Sequence, residues 1–364
     1  MKLSDIIAAL EKFAPPQLQE SYDNSGLLIG NIQSEIKKAL VTVDVTEAVL
    51  KEAIEKKCNL MISHHPLIFK GLKSITGKNA EERIIEKAIK NNIAIYAIHT
   101  NLDNVDQGIN AILSKKLGLK NMRILSPKKE LLRKLVTFCP ADHAEKVRKA
   151  IFEAGAGHIG EYDSCSFNTP GTGSFRGSDA TNPFVGEKGT LHYEDEIRIE
   201  TIYPVYRESA VLNALFESHP YEEVAYDLYP LENVFDRVGA GMIGELEKET
   251  DELEFLKNVK QTLGSGCIRH TRLPGKKIKK VAVCGGVGSF LIGDAIRAGA
   301  DIFITGDIKY HDFFQAENHI IITDVGHYES EQFAKELIYD VLIEKFPNFA
   351  VLISEGATNP INYL

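Results

Sequence analysis

The sequence predicts an α/β fold, with one α/β unit split into two halves by an inserted ferredoxin-like α+β domain. Three observations predict it. Short apolar strands alternate with amphipathic helices up to about residue 128, the pattern of a largely parallel sheet with helices on its faces. Between 129 and 235 the rhythm becomes strand-helix-strand twice over, the ferredoxin-like order. From 236 to 364 the first rhythm returns. The expected domains are therefore 1–128, 129–235 and 236–364, with the outer two forming one unit.

Each element follows from local pattern. Ser4 and Asp5 open an amphipathic helix that Pro15 and Pro16 end. The turn cluster Tyr22-Asp-Asn-Ser-Gly26 precedes a short apolar run to Gly30. Strands are predicted at 39–43, 59–62 and 93–98, and helices at 47–57, 80–91 and 105–117. In the insert, strands are predicted at 131–139, 161–167, 197–203 and 224–229, with helices at 141–154 and 208–218. A segment rich in Gly, Ser, Thr and Pro at 168–189 reads as a long loop, and such loops are usually functional or disordered. Beyond it, strands at 238–245, 279–284, 302–305 and 319–323 alternate with helices at 252–263 and about 290–297, and a last helix runs to about 345.

The 364 residues are 44% hydrophobic and 26% charged, as in ordinary globular proteins. A net charge of -9 argues against bulk electrostatic binding to nucleic acid. The five cysteines are scattered without a Cys-x-x-Cys pair, so neither a disulfide framework nor a zinc-thiolate site is indicated. Met1-Lys-Leu-Ser-Asp5 has no signal-peptide core, and no apolar run reaches about 18 residues. The expectation is a cytoplasmic protein that does not enter a membrane.

Chemistry concentrates where apolar strands end. Leu60-Met-Ile62 runs into His64 and His65, and Pro66 closes the strand. The carboxyl edge of a parallel sheet is where ligands bind, and neutral imidazole is the commonest metal ligand. A bare His-His pair is more often one buried and one solvated side chain. The next strand ends in Ile98-His-Thr-Asn-Leu-Asp103, which offers His99 and Asp103; capping of the following helix is the alternative task for Asp103. The last strand leads to Gly326-His-Tyr-Glu-Ser-Glu331, in which His327 and Glu331 share a helical face at i and i+4. An acidic first helical turn explains that pattern equally simply. Three such clusters together outweigh these separate readings. His64, His65, Asp103, His327 and Glu331 exceed one tetrahedral zinc with an open position and suit two metals bridged by a carboxylate. Nitrogen and oxygen ligands without thiolate admit Zn²⁺, Mn²⁺, Fe²⁺ or Co²⁺. Gly285-Gly-Val-Gly-Ser289 is either a tight turn or an anion cradle in which Gly286 and Gly288 hold phosphate. Asp307 and His311, four apart after a strand end, either support metal ligands from behind, face substrate, or lie on a solvated helix face.

The motifs Asp23-Asn-Ser-Gly26, Ser63-His-His-Pro66, His99-Thr-Asn-Leu-Asp103, Gly285-Gly-Val-Gly-Ser289 and Gly326-His-Tyr-Glu-Ser-Glu331 resemble the NIF-three-like family. Its bacterial members carry the label GTP cyclohydrolase 1 type 2 homologue. The resemblance spans the whole chain, since long members carry an insert similar to PII and CutA proteins, to which His219-Pro-Tyr-Glu-Glu-Val224 corresponds. It implies two divalent metals held by His64, His65, Asp103, His327 and Glu331, with Glu331 bridging, and a toroidal homohexamer.

The function expected is a binuclear metal-dependent hydrolase in which activated water attacks a nucleotide-like, GTP-like substrate. His99 or Glu331 would move the proton. Gly286, Gly288, Asp307 and His311 are the candidate substrate contacts. The alternative is a non-catalytic hexamer that binds metal or nucleotide and signals through its insert.

Overall fold

Two sheets, rather than the one that the strand-helix rhythm suggests, organise the outer halves of the chain. The structure is a computed structural model and describes residues 1–364. The first half contains helix α1 (Leu3–Phe13), strands β1 (Gly26–Ile29) and β2 (Lys38–Thr42), helix α2 (Glu47–Glu55), strand β3 (Leu60–Ser63), helix α3 (Ala80–Lys90), strand β4 (Ala94–Ala97), helices α4 (Thr100–Asp103) and α5 (Ile109–Lys116), and strand β5 (Lys120–Lys128). The insert contains β6 (Leu132–Pro140), α6 (Ala144–Glu153), β7 (Phe167–Arg176), β8 (Leu191–Pro204), α7 (Glu208–Ser218) and β9 (Tyr226–Leu231). The second half contains β10 (Phe235–Asp251), α8 (Glu252–Leu263), β11 (Arg269–His270), β12 (Lys277–Val287), α9 (Ile292–Arg297), β13 (Ile302–Gly306), β14 (Ile321–Asp324), α10 (His327–Glu331), α11 (Ala334–Lys345) and β15 (Ala350–Ile353). No helix is long and apolar enough to cross a membrane.

The two outer halves exchange strands. The first sheet has the order β1-β4-β3-β2-β15, so its last strand comes from the far end of the chain. The second has the order β11-β14-β13-β12-β10-β5, so its edge strand comes from the first half. In both, the central strands are parallel. They are buried on both faces: β3 and β4 are buried throughout, and β13 likewise, which is why they read as continuous apolar runs. Amphipathic helices cover them. Helix α3, for example, puts Ile84, Ile85 and Ala88 against Leu40, Met61 and Ile95, while Asn79 caps its first turn.

By contact, the chain divides into Met1–Pro127 with Asp236–Leu364, and Lys128–Phe235. The second unit is an antiparallel sheet of order β7-β8-β6-β9, with α6 and α7 supplying Val147, Ile151, Val211 and Leu215 to its core. That is the ferredoxin-like strand order. One prediction inside it fails. The strand expected at 161–167 lies instead at Phe167–Arg176, within the expected loop. Its Pro170, Gly171 and Gly173 speak against a central strand. At a sheet edge, however, proline loses no ladder bond, and the strand is exposed along nearly its whole length.

The insert leaves the outer unit at a benign place. A side chain on Gly239 would meet Ser126, and one on Gly244 would meet Lys120, so β5 and β10 run antiparallel as neighbours. The insert thus replaces the tip of a hairpin, where insertions are best tolerated. A chain in which a short Asn-Gly turn joins Pro127 to Asp236 is expected to fold and keep its metal-binding capacity. Circular dichroism and metal content check this; an unfolded product with several different linkers would contradict it.

Candidate metal centre

The site is assembled at the carboxyl ends of strands from both sheets of the outer unit. Just past the end of β3 the chain stays tied to the segment beside it: His64 N–H donates to the Thr42 carbonyl and His65 N–H to that of Val43. The strand itself ends at Ser63 and the backbone bends through the His-His pair, so both imidazoles can reach one site instead of pointing to opposite faces. Strand β4 ends one step away, and Ile98 N–H donates to the Ser63 carbonyl. Its continuation places His99 and, on the short helix α4, Asp103. Asp103 is the last residue of α4 and does not cap α5, whose preceding residue is Gly108. A Cβ at Gly108 would stand 1.8 Å from the Leu102 carbonyl oxygen, so only glycine lets the chain turn there. From the second sheet, β14 leads through Gly326 (φ +98°) into α10, which carries His327 and Glu331 one turn apart.

Glu331 is the centre. It is buried, and its Oε2 lies 2.9 Å from His65 Nε2, 3.0 Å from His327 Nε2 and 3.6 Å from His64 Nε2. His65 Nε2 and His327 Nε2 face each other at 3.2 Å. Donor atoms spaced in this way match the edges of a tetrahedron around an ion with bonds of ~2.0 Å, about 3.3 Å apart. His64 Nε2 and Asp103 Oδ1 are 3.7 Å apart, and both are buried without a hydrogen-bond partner. Orphaned buried polar atoms cost free energy unless something binds them. Three groups of donor atoms result: His65-His327-Glu331, His64-Asp103-Glu331 and His64-His65-His99, each within 4.8 Å. The first two share Glu331. The five sequence-predicted ligands therefore converge and can hold a metal ion, and His99 joins them.

Each imidazole is oriented from behind. His64 Nδ1 donates to the Ile98 carbonyl at 3.0 Å, His65 Nδ1 to Asp44 at 2.7 Å, His99 Nδ1 to Asp23 at 2.7 Å and His327 Nδ1 to Asp307 at 2.8 Å. This is the support that metal-binding histidines need: the back nitrogen is tied down as a donor and Nε2 is left as the ligand atom. Sequence reading missed Asp44 altogether. The Asp44-Val-Thr-Glu47 turn after β2 looks like a plain helix entry, and nothing local distinguishes it. In the sequence Asp23 stands out only as part of a turn motif. Its carboxylate also accepts from Thr100 N–H at 3.0 Å.

The remaining predicted residues fare differently. Asp307 orients His327 and so belongs behind the ligands. His311 is exposed, with its ring against Tyr310 and Phe314, and it contacts none of the cluster. In the Gly285–Ser289 segment two of the backbone amides already have side-chain partners. Strand β12 runs on through Val287, and a 3-10 turn at Ser289–Leu291 leads into the six-residue α9 at Ile292. The Gly285 N–H donates to Asn110 Oδ1 and the Gly286 N–H to Ser330 Oγ. Gly288 packs on Thr305, where a Cβ would stand 2.3 Å from the hydroxyl. These glycines make room: a Cβ at Gly286 (φ +60°) would lie 2.2 Å from Glu331 Oε1. Gly286→Ala is therefore expected to displace Glu331 and lower metal content. Gly264→Ala, at φ +63° with open space around it, should cost only the backbone strain of about 1–3 kcal/mol. Equal metal content in the two variants would contradict this assignment.

Burial and charge set the protonation states before metal enters. Burial pushes the Asp103 carboxyl well up, and the neighbouring Glu331 carboxylate adds to the rise. Burial likewise pulls the His64 imidazole down, keeping it neutral. Burial opposes charge at His65 too, but hydrogen bonds to Asp44 and Glu331 hold it up at about 10. At His327 burial is outweighed by Glu331 and Asp307, which hold it at about 9. Against its own burial, Glu331 is kept ionised by His327, His64 and His65. His65 and His327 therefore carry protons at neutral pH, and a metal ion must displace them. Metal binding should release protons and tighten as pH rises from 6 to 8. Calorimetry in buffers of different ionisation enthalpy checks this, and a buffer-independent heat would contradict it.

Comparison with known proteins shows what the chain is similar to. The sequence matches the family described as Duf34/NIF3 (NGG1p interacting factor 3) over residues 1–360. It is 42% identical to the "GTP cyclohydrolase 1 type 2 homolog" of Halalkalibacterium halodurans, covering 99% of this chain and 98% of that protein. The protein of the same name from Bacillus subtilis is also 42% identical, with the same coverage. Among solved structures, the Bacillus cereus protein related to NIF3 superposes with a TM-score of 0.87 at 40% identity, covering 100% of this chain and 99% of that one. The chain belongs to the Duf34/NIF3 family.

Proposed function

We propose that this protein is a hydrolase with two divalent metal ions, acting on a nucleotide-like substrate. The observation that carries this reading is the pair of donor sets that share Glu331, one of them containing two orphaned buried atoms. His65, His327 and Glu331 would hold one ion, and His64, Asp103 and Glu331 the other. Zn²⁺, Mn²⁺, Fe²⁺ and Co²⁺ all suit these donors. A bound pair supplies Lewis acidity that makes water nucleophilic near neutral pH.

The chain's own residues do the rest. Asp23, its side chain fully buried, is held ionised despite burial by hydrogen bonds from His99 and Thr100. It fixes the His99 tautomer with Nε2 free to take a proton, so His99 is the proton carrier and Glu331 stays a ligand. Tyr22 and Phe69, 65% and 45% exposed, lie 6.4 Å apart, with Phe69 edge-on to His99. Exposed aromatic faces beside the metal donors favour a substrate with a flat ring. That supports the nucleotide class, as does the name of the relatives, GTP cyclohydrolase 1 type 2 homolog. The proposal includes a homohexamer, supported by the exposed Phe290, Tyr310 and Phe314 and testable by light scattering. It also includes a cytoplasmic location, which suits five free cysteines.

Protein purified without chelator should turn over at least one nucleotide in a broad screen, lose that activity on chelation and regain it with metal. Full metal occupancy without turnover of any nucleotide would favour the non-catalytic alternative.

A further inference from the structure

The insert contains a cavity of about 560 Å³, lined entirely by its own residues. That volume is in the range of small-molecule sites. Phe138, Phe175, Phe184 and Tyr221 form much of its wall. The floor is the edge strand β7, whose run Thr169-Pro-Gly-Thr-Gly-Ser174 presents little side-chain bulk; beside Gly171 there is open space. This is the segment whose composition reads as loop, and here its small residues leave the volume.

The loop after β7 closes over the cavity. Residues 177–190 fold back so that the Phe184 ring lies 6.4 Å from that of Tyr221 and edge-on to His143 at 5.3 Å. Asn182 N–H donates to Glu222 at 2.8 Å, and Gly189 N–H to the Gly177 carbonyl at 2.8 Å. Phe184 is nonetheless 51% exposed. An aromatic residue tethered over a cavity and half open to water is placed to settle on a ligand.

The polar group inside is a carboxylate. Glu196 is half-buried, and its Oε1 accepts from the Tyr221 hydroxyl at 2.8 Å. Its Oε2 lies over Gly173, where a Cβ would stand 2.2 Å away, and accepts no hydrogen bond from the protein. The arginines of the lining, Arg176 and Arg198, are exposed, and Arg198 is already paired with Glu200 at 3.0 Å. Aromatic faces around an unfilled carboxylate oxygen attract cations and hydrogen-bond donors carried on a flat frame.

We propose that the insert is a ligand-binding domain for a planar molecule with an amine or amidinium edge, held between Tyr221, Phe175 and Phe184 and donating to Glu196. Nothing in this inference rests on the metal centre. Benzamidine is the minimal probe, and benzoate is its isosteric anion. Titrations of the full-length protein followed by NMR should show saturable benzamidine binding, with shifts at residues 169–176, 184 and 221. Benzoate should bind at least tenfold more weakly. Glu196→Gln and Phe184→Ala should each weaken benzamidine at least tenfold, while thermal stability and metal content stay as in the parent. Absence of benzamidine binding would overturn the proposal. So would equal affinity for benzoate, or binding unchanged in Glu196→Gln. Where Phe184→Ala alters folding, Glu196→Gln alone decides.

Discussion

Replacing Glu331 by alanine is expected to empty both metal positions, whereas His99→Ala keeps them filled. Glu331 is the only residue shared by the His65-His327 and His64-Asp103 donor sets, so its loss takes a ligand from each. It also removes the anion that holds His65 and His327 near one another. Without it, His65 and His327 lose a main cause of their raised pKa and face each other at 3.2 Å with no carboxylate between them. Truncating one member of a buried charged cluster typically costs about 3–5 kcal/mol because the partners are left uncompensated. The metal-free variant should therefore also unfold at a lower temperature than the metal-free parent. Elemental analysis and thermal denaturation check both effects. Two metals retained in Glu331→Ala would remove the carboxylate from the centre of the account.

The second large effect concerns turnover. His99→Ala should lower the rate roughly 10²–10⁴-fold while the metals stay bound, the usual range for a lost proton carrier. Asp23→Asn should reproduce part of that loss, because it weakens the 2.7 Å contact that fixes the His99 tautomer. A histidine that serves instead as a ligand, through its place beside His64 and His65, would behave differently: metal content would fall, and added metal would restore the rate. Measuring rate and metal content on the same samples separates the two, and unchanged turnover at full metal content would exclude both roles.

How much of this could be read from sequence depends on the range of the interaction. His64-His65, His99 with Asp103, and His327 with Glu331 are legible because an apolar run announces a buried strand and polar residues at its end have few structural tasks. The second layer is far less legible. Asp44 meets His65 across 21 positions of sequence, and Asp23 meets His99 across 76. Only the fold brings such pairs together. The glycine run at 285–288 is only partly legible for the same reason. As a local motif it fits a tight turn or an anion cradle, whereas the need for glycine comes from distant residues: Glu331 passes over Gly286, and Thr305 over Gly288. Strand exchange was hidden as well. Ala350-Val-Leu-Ile353 is too short to declare a strand until it is seen beside β2. In the insert, β7 was lost because an exposed edge strand carries no apolar alternation.

The central claim is that Glu331 joins two metal positions. Anomalous X-ray diffraction from crystals of protein purified without chelator tests it most directly. The account predicts two peaks per chain, roughly 3.5–4 Å apart, one beside His65 and His327, the other beside His64 and Asp103, with the Glu331 carboxylate between them. A single peak surrounded by His64, His65 and His99, with Glu331 outside its coordination shell, would contradict it.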